Sequence, residues 1–123
     1  MSHIVQIQTE VRDADAVRAA CRRLSLDEPI NGTVRLFDGE AMGLLVRLPG
    51  WLYPAVVNTD SGQVQYDNYD GQWGSQEHLD KFMQAYAVEK AKIEARKRGQ
   101  SVYERLLPDG SIKLTIQVAG GVA

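Results

Sequence analysis

The side chains best equipped for chemistry are the two histidines, His3 and His78, and the polar stretch YDNYDGQWGSQEH at 66–78. Within thirteen residues this stretch gathers Asp67, Asn68, Asp70, Glu77 and His78, a mixture of oxygen and nitrogen donors of the kind metal sites use. Aligned as a calcium loop, Asn68 takes the third place, Asp70 the fifth, Gly71 the sixth and Glu77 the twelfth. The first place then falls on Tyr66, which has no carboxylate, and an extended run precedes it where an EF-hand has a helix. The local chemistry supports a plainer reading. Asp70-Gly71 makes a turn, Ser75 caps a helix, and Tyr69 and Trp73 cover a seam between helix and sheet. The histidines lie far apart with no cysteine beside them, short of the three or four ligands that zinc needs. No metal or cofactor is expected. A small enzyme or metalloprotein using His3, His78, Asp67 or Asp70 stands only as a third alternative.

Nucleophilic chemistry has less support. Cys21 shares a helical stripe with Val17, Ala20 and Leu24, where a thiol is buried filling. As the single cysteine it can form neither an internal disulfide nor an iron–sulfur site. There is no Gly-x-Ser-x-Gly elbow, Walker loop or Gly-x-Gly-x-x-Gly turn, so no catalytic residue is assigned. Two binding features remain. Lys90, Lys92, Arg96, Lys97 and Arg98 form a basic cluster suited to an anion, although a helix C-terminus also favours cations for its own stability. Trp51, Leu52 and Tyr53 sit between Pro49 and Pro54, either as exposed interface anchors or folded back over a sheet edge.

The elements that must position these residues follow from periodicity. Val5, Ile7, Thr9 and Val11 alternate with polar neighbours, which predicts a half-buried strand. Asp13 then caps a helix over 14–24. Runs at 33–37 and 40–48 flank Asp38-Gly39, a hairpin signal, and those at 55–59 and 63–66 flank Asp60-Ser61-Gly62. A long helix over 76–98 carries Leu79, Phe82, Met83, Tyr86 and Ile93 and ends at Gly99. A last hairpin turns at Pro108-Asp109-Gly110, with Ile112, Leu114, Ile116 and Val118 along one face. The order is β-α-β-β-β-β-α-β-β. The expected fold is α+β: one domain over 1–119 with a largely antiparallel sheet, two helices packed on one face, and a frayed tail at 120–123.

Net charge is −2, which gives no global attraction to nucleic acid or anionic lipid, so a nucleic-acid partner is not favoured. The opening MSHIVQIQTE lacks the basic and apolar regions of a signal peptide, and no apolar run approaches the length of a membrane span. A cytoplasmic protein without a membrane anchor is the expectation.

MSHIVQIQTEVRDADAV at 1–17, together with Trp73 and FMQAYAVEKAKIEARKRG at 82–99, resembles the hypothetical chloroplast reading-frame family of cyanobacteria, plastids and other bacteria. The matching positions are Ser2, His3, Thr9, Asp13, Trp73, Phe82, Gln84, Tyr86 and Ala87, with no match through 26–62. The family is a domain of unknown function. The resemblance implies a protein partner, an AAA-type ATPase, and an accessory role, and it carries over no catalytic residue. With no catalytic motif in the residues themselves, the leading expectation is a non-enzymatic binding or adaptor domain, anchored through Trp51, Leu52 and Tyr53. An anion or nucleic-acid binder using the basic cluster is the alternative. Open sheet edges also suit pairing with a second copy, as a homodimer.

Overall fold

A computed structural model of the chain describes residues 5–7, 10–37 and 39–117; His3, Asp38 and the tail at 120–123 lie outside them. The elements run β1 (Val5–Ile7), α1 (Ala14–Arg23), β2 (Ile30–Leu36), β3 (Gly39–Val46), β4 (Ala55–Asn58), β5 (Gln63–Tyr66), α2 (Gln76–Lys97), β6 (Ser101–Leu106) and β7 (Ile112–Gln117). This is the expected α+β order.

The strands form two sheets. β2 to β5 are a meander, and β1 adds to the far side of β5, giving the order β1-β5-β4-β3-β2 with every pair antiparallel. Among the described residues β6 and β7 pair only with each other. Two boundaries differ from expectation. β2 starts at Ile30, where Asn31-Gly32 reads locally as a turn, because pairing along β3 outweighs local preference. Gly39 pairs with Leu36 and belongs to β3, so the reversal falls one residue earlier than Asp38-Gly39 suggests.

Register explains the core. Leu44 lies opposite Val57, which lies opposite Val64, and Val46 lies opposite Ala55. These residues and Tyr66 form one face of the sheet. Against it pack Ala16, Val17, Ala20 and Cys21 of α1 and Leu79, Phe82, Ala85 and Tyr86 of α2. Asp13 fixes how α1 begins. Its Oδ1 accepts from the amides of Asp15 and Ala16, its Oδ2 accepts from Lys90 Nζ at 3.0 Å, and its own N–H donates to the Tyr86 hydroxyl. One residue thus caps α1 and ties it to α2. Burial pushes the Asp13 carboxyl up, but Lys90 and the Ala16 amide outweigh it and hold it below its usual range. The other face of the sheet carries a smaller cluster, Leu36, Ala41 and Val56, with Val34, Leu45 and Tyr53 beside it.

At Gly43, β3 leaves no room for a side chain against β4. A Cβ there would lie 2.3 Å from the Val57 carbonyl oxygen. Gly43→Ala is therefore expected to cost about 3 kcal/mol, since the atoms it would meet are backbone of β4 and resist displacement. Urea denaturation measures this, and a loss below about 1 kcal/mol would show that the strands yield there.

Candidate functional site

The stretch at 66–78 folds as a knot between β5 and α2. Tyr69, Asp70 and Gly71 all take positive φ, at 47°, 51° and 92°. For two successive residues with side chains this conformation is costly, and it persists only where neighbours enforce it. The Asn68 carbonyl accepts from the amides of Gly71 and Trp73, and its side-chain amide donates to the Gly74 carbonyl at 3.2 Å. Trp73 is the hub of an aromatic cluster, with Tyr69, Phe37 and Tyr53 at ring-centroid distances of 4.8, 5.5 and 5.8 Å. The β2–β3 turn, the loop before β4 and the knot therefore meet at one indole. Ser75 caps α2 through the Glu77 amide, as expected.

Trp51 locks into the same knot. Its indole N–H donates to the Ser75 carbonyl at 3.0 Å, its ring meets Tyr66 edge-on, and the Leu52 amide donates to the Trp73 carbonyl. Gly74 lies so close that a Cβ there would sit 2.4 Å from the Trp51 ring. Of the three residues at 51–53, only Leu52 is exposed; Trp51 and Tyr53 are half-buried. The proline-bounded loop folds back on the body and presents one aliphatic side chain.

Asp67 is wholly buried, and neither of its carboxylate oxygens has a hydrogen-bond partner among the described residues. Buried polar groups are nearly always paired, and exceptions concentrate where stability gives way to another requirement. Asp70 is exposed. His78 is half-buried in the first turn of α2, beside a cleft of about 240 Å³ that it lines with Leu24, Leu26, Leu48, Pro49 and Lys81. Asp67, Asp70 and His78 form no metal-ligand cluster: among the described residues no three His, Cys, Asp or Glu side chains are placed to hold an ion. Cys21 is buried, and burial pushes its thiol up to about 11.

The basic cluster separates into two sets. Lys90 bridges Asp13 and Glu94, Lys97 reaches Glu94, and Lys92 contacts Glu104 at 2.7 Å and Glu89 at 3.6 Å. Arg96 and Arg98 are exposed and make no ion pair among the described residues. Arg23 of α1 joins the junction, contacting Glu104 at 2.5 Å and Glu89 at 3.1 Å. Sequence reading misses this junction because its members come from α1, α2 and β6; the charges are visible in the chain, but their meeting is not.

Glu104 attaches the final hairpin to the helices, and Gln84 adds a bond to the Gly110 carbonyl at the hairpin's turn. The hairpin lies along α2 and is only partly covered by it. Val102, Ile112 and Leu114 are half-buried, whereas Leu106 is 73% and Ile116 47% exposed on the same face. Tyr103, on the opposite face, is 57% exposed. With this geometry in view, no family model, curated protein or solved structure matches the chain.

Asp67→Leu keeps a side chain of similar size and removes both unpaired buried oxygens. Stability is expected to rise by about 1–2 kcal/mol in urea unfolding. A drop would show instead that the carboxyl group makes a bond that an apolar side chain cannot. Arg23, then Lys92, hold the Glu104 carboxyl down from 4.5 to about 2. The folded pKa lies below the unfolded one, so the junction's contribution is complete above about pH 4.5 and fades as pH falls toward 2. Glu104→Gln is expected to lose about 1 kcal/mol at pH 7, a figure reduced for solvent screening. Unfolding curves of the two proteins should converge toward pH 2, and a gap independent of pH would remove the electrostatic account.

Proposed function

We propose that the chain is a non-enzymatic binding or adaptor domain whose ligand is another protein. The observation that carries this reading is the β6–β7 hairpin, a two-stranded sheet exposing Tyr103, Leu106 and Ile116 instead of burying them in the core. Exposed aromatic and aliphatic side chains on an ordered element are what protein interfaces use. Leu52, 58% exposed on the loop pinned by Trp51, is a smaller second anchor. Trp51 and Tyr53 act as its support. The resemblance to the chloroplast reading-frame family supplies the partner class, an AAA-type ATPase. No helix among the described residues is long and apolar enough to cross a membrane, which fits the proposal of a cytoplasmic adaptor.

A second reading has one observation in its favour. Arg96 and Arg98 have no acidic partner among the described residues at the end of α2, where an anion or nucleic acid can reach them. It requires affinity that falls steeply with salt.

The adaptor reading is tested by affinity capture of the tagged chain from its host, in parallel with a Leu106→Ser/Ile116→Ser variant. Both side chains are exposed, so the variant is expected to fold normally. A stoichiometric partner held by the native chain should be lost at least tenfold by the variant. Equal capture by both proteins would remove the hairpin from the interface, and no stoichiometric protein with either would end the adaptor reading.

A further inference from the structure

We infer that the outer edge of β7 receives an extended segment of a partner protein in which apolar and acidic residues alternate. The inference rests on the adaptor reading and specifies its ligand. Three observations carry it.

The first is backbone. β6 and β7 pair only with each other among the described residues, so the far side of β7 presents a row of unsatisfied amides and carbonyls. Such an edge is a template for another strand unless it is short, covered or blocked by charge. β7 is six residues long and contains no proline.

The second is the side-chain row toward α2. Ile112, Leu114 and Ile116 occupy alternate positions, half-buried at the turn end and exposed at Ile116. A strand laid beside β7 places its own alternate side chains next to these three and extends the apolar strip that α2 leaves partly open. The edge of β6 is less suitable. The middle of its corresponding row is Glu104, already engaged by Arg23 and Lys92.

The third is charge on the opposite row. Arg105 lies directly across from Lys113, both exposed and neither in an ion pair among the described residues. Like charges directly opposed across two strands repel. The remaining members of that row, Ser101, Tyr103, Thr115 and Gln117, include no acid to balance them. An incoming strand with acidic residues on this side removes the repulsion, and its apolar residues then necessarily fall on the α2 side. The contrast with β2 is informative. Its edge is also open, but there Arg35 lies across from Glu40, so the pair is already balanced and selects no charge.

The probe is a short fluorescein-labelled peptide alternating valine and glutamate, read by anisotropy against the intact chain. It should bind, with backbone amides of β7 gaining protection from hydrogen exchange. Arg105→Glu/Lys113→Glu should weaken it at least tenfold at low salt, and that variant should prefer a peptide alternating valine and lysine. A copy of the valine–glutamate peptide with alternate amides N-methylated keeps the charge, cannot complete a ladder, and should fail to bind. Four results would overturn the inference: no binding, binding indifferent to charge reversal, equal binding of the N-methylated peptide, or equal binding of polyglutamate or an oligonucleotide. Self-association that excludes the peptide would also overturn it, by showing that a second copy occupies the edge. If the peptide fails while the intact chain still captures a stoichiometric partner, only the edge assignment falls.

Discussion

Two helices cannot cover both faces of a five-stranded sheet, and most of this structure follows from that shortage of cover. α1 and α2 both lie on the face built from Leu44, Val46, Ala55, Val57, Val64 and Tyr66, where they make one continuous core. Asp13 holds the pair in place by capping one helix and binding Lys90 of the other. The opposite face has only what the loops supply. Trp73, gripped by Tyr69, Tyr53 and Phe37, is that supply, and the small cluster of Leu36, Ala41 and Val56 lies on the same face. The strained backbone at Tyr69 and Asp70 is what bends the chain between β5 and α2 far enough to form the knot.

The same shortage leaves the last hairpin outside the main sheet. By then the helices have spent their apolar stripe on the core, and the last turns of α2 offer mostly charge. β6 and β7 therefore dock through Glu104, which sits between Arg23 and Lys92, with limited apolar contact around it. Of what reads in isolation as a basic helix end, Lys92 belongs to this junction, while Lys90 and Lys97 pair with Asp13 and Glu94. Lys90, Lys92 and Lys97 are occupied inside the molecule, and at this end of the molecule Arg96, Arg98, Arg105 and Lys113 make no ion pair among the described residues.

Local signals in the chain were enough to read the order of elements, the two helix caps and the core stripe of α2, because each depends on residues within a few positions of one another. The limits of β2 were less legible, since Asn31-Gly32 reads as a turn until Leu44 and Gly43 pair with it. The Trp51 loop could be taken as exposed or folded back; a hydrogen bond to Ser75, twenty-four residues on, decides it. Asp67 looked like one acid among several in a polar stretch. Its burial depends on layers above and below the strand end, and no spacing rule reports that. Division of the strands into two sheets was equally hidden, because hairpin signals fix pairs of strands and say nothing of which pairs adjoin.

A hairpin held by charges at its inner row, with its outer row in solvent, is nearly independent of the core in its sequence requirements. Substitutions at Tyr103, Arg105, Lys113, Thr115 or Gln117 disturb no buried packing, so this outer surface is free to change while Phe82, Val57 and Val64 stay fixed. Glu104 with its two cationic partners then acts as a mechanical fitting between the hairpin and the body.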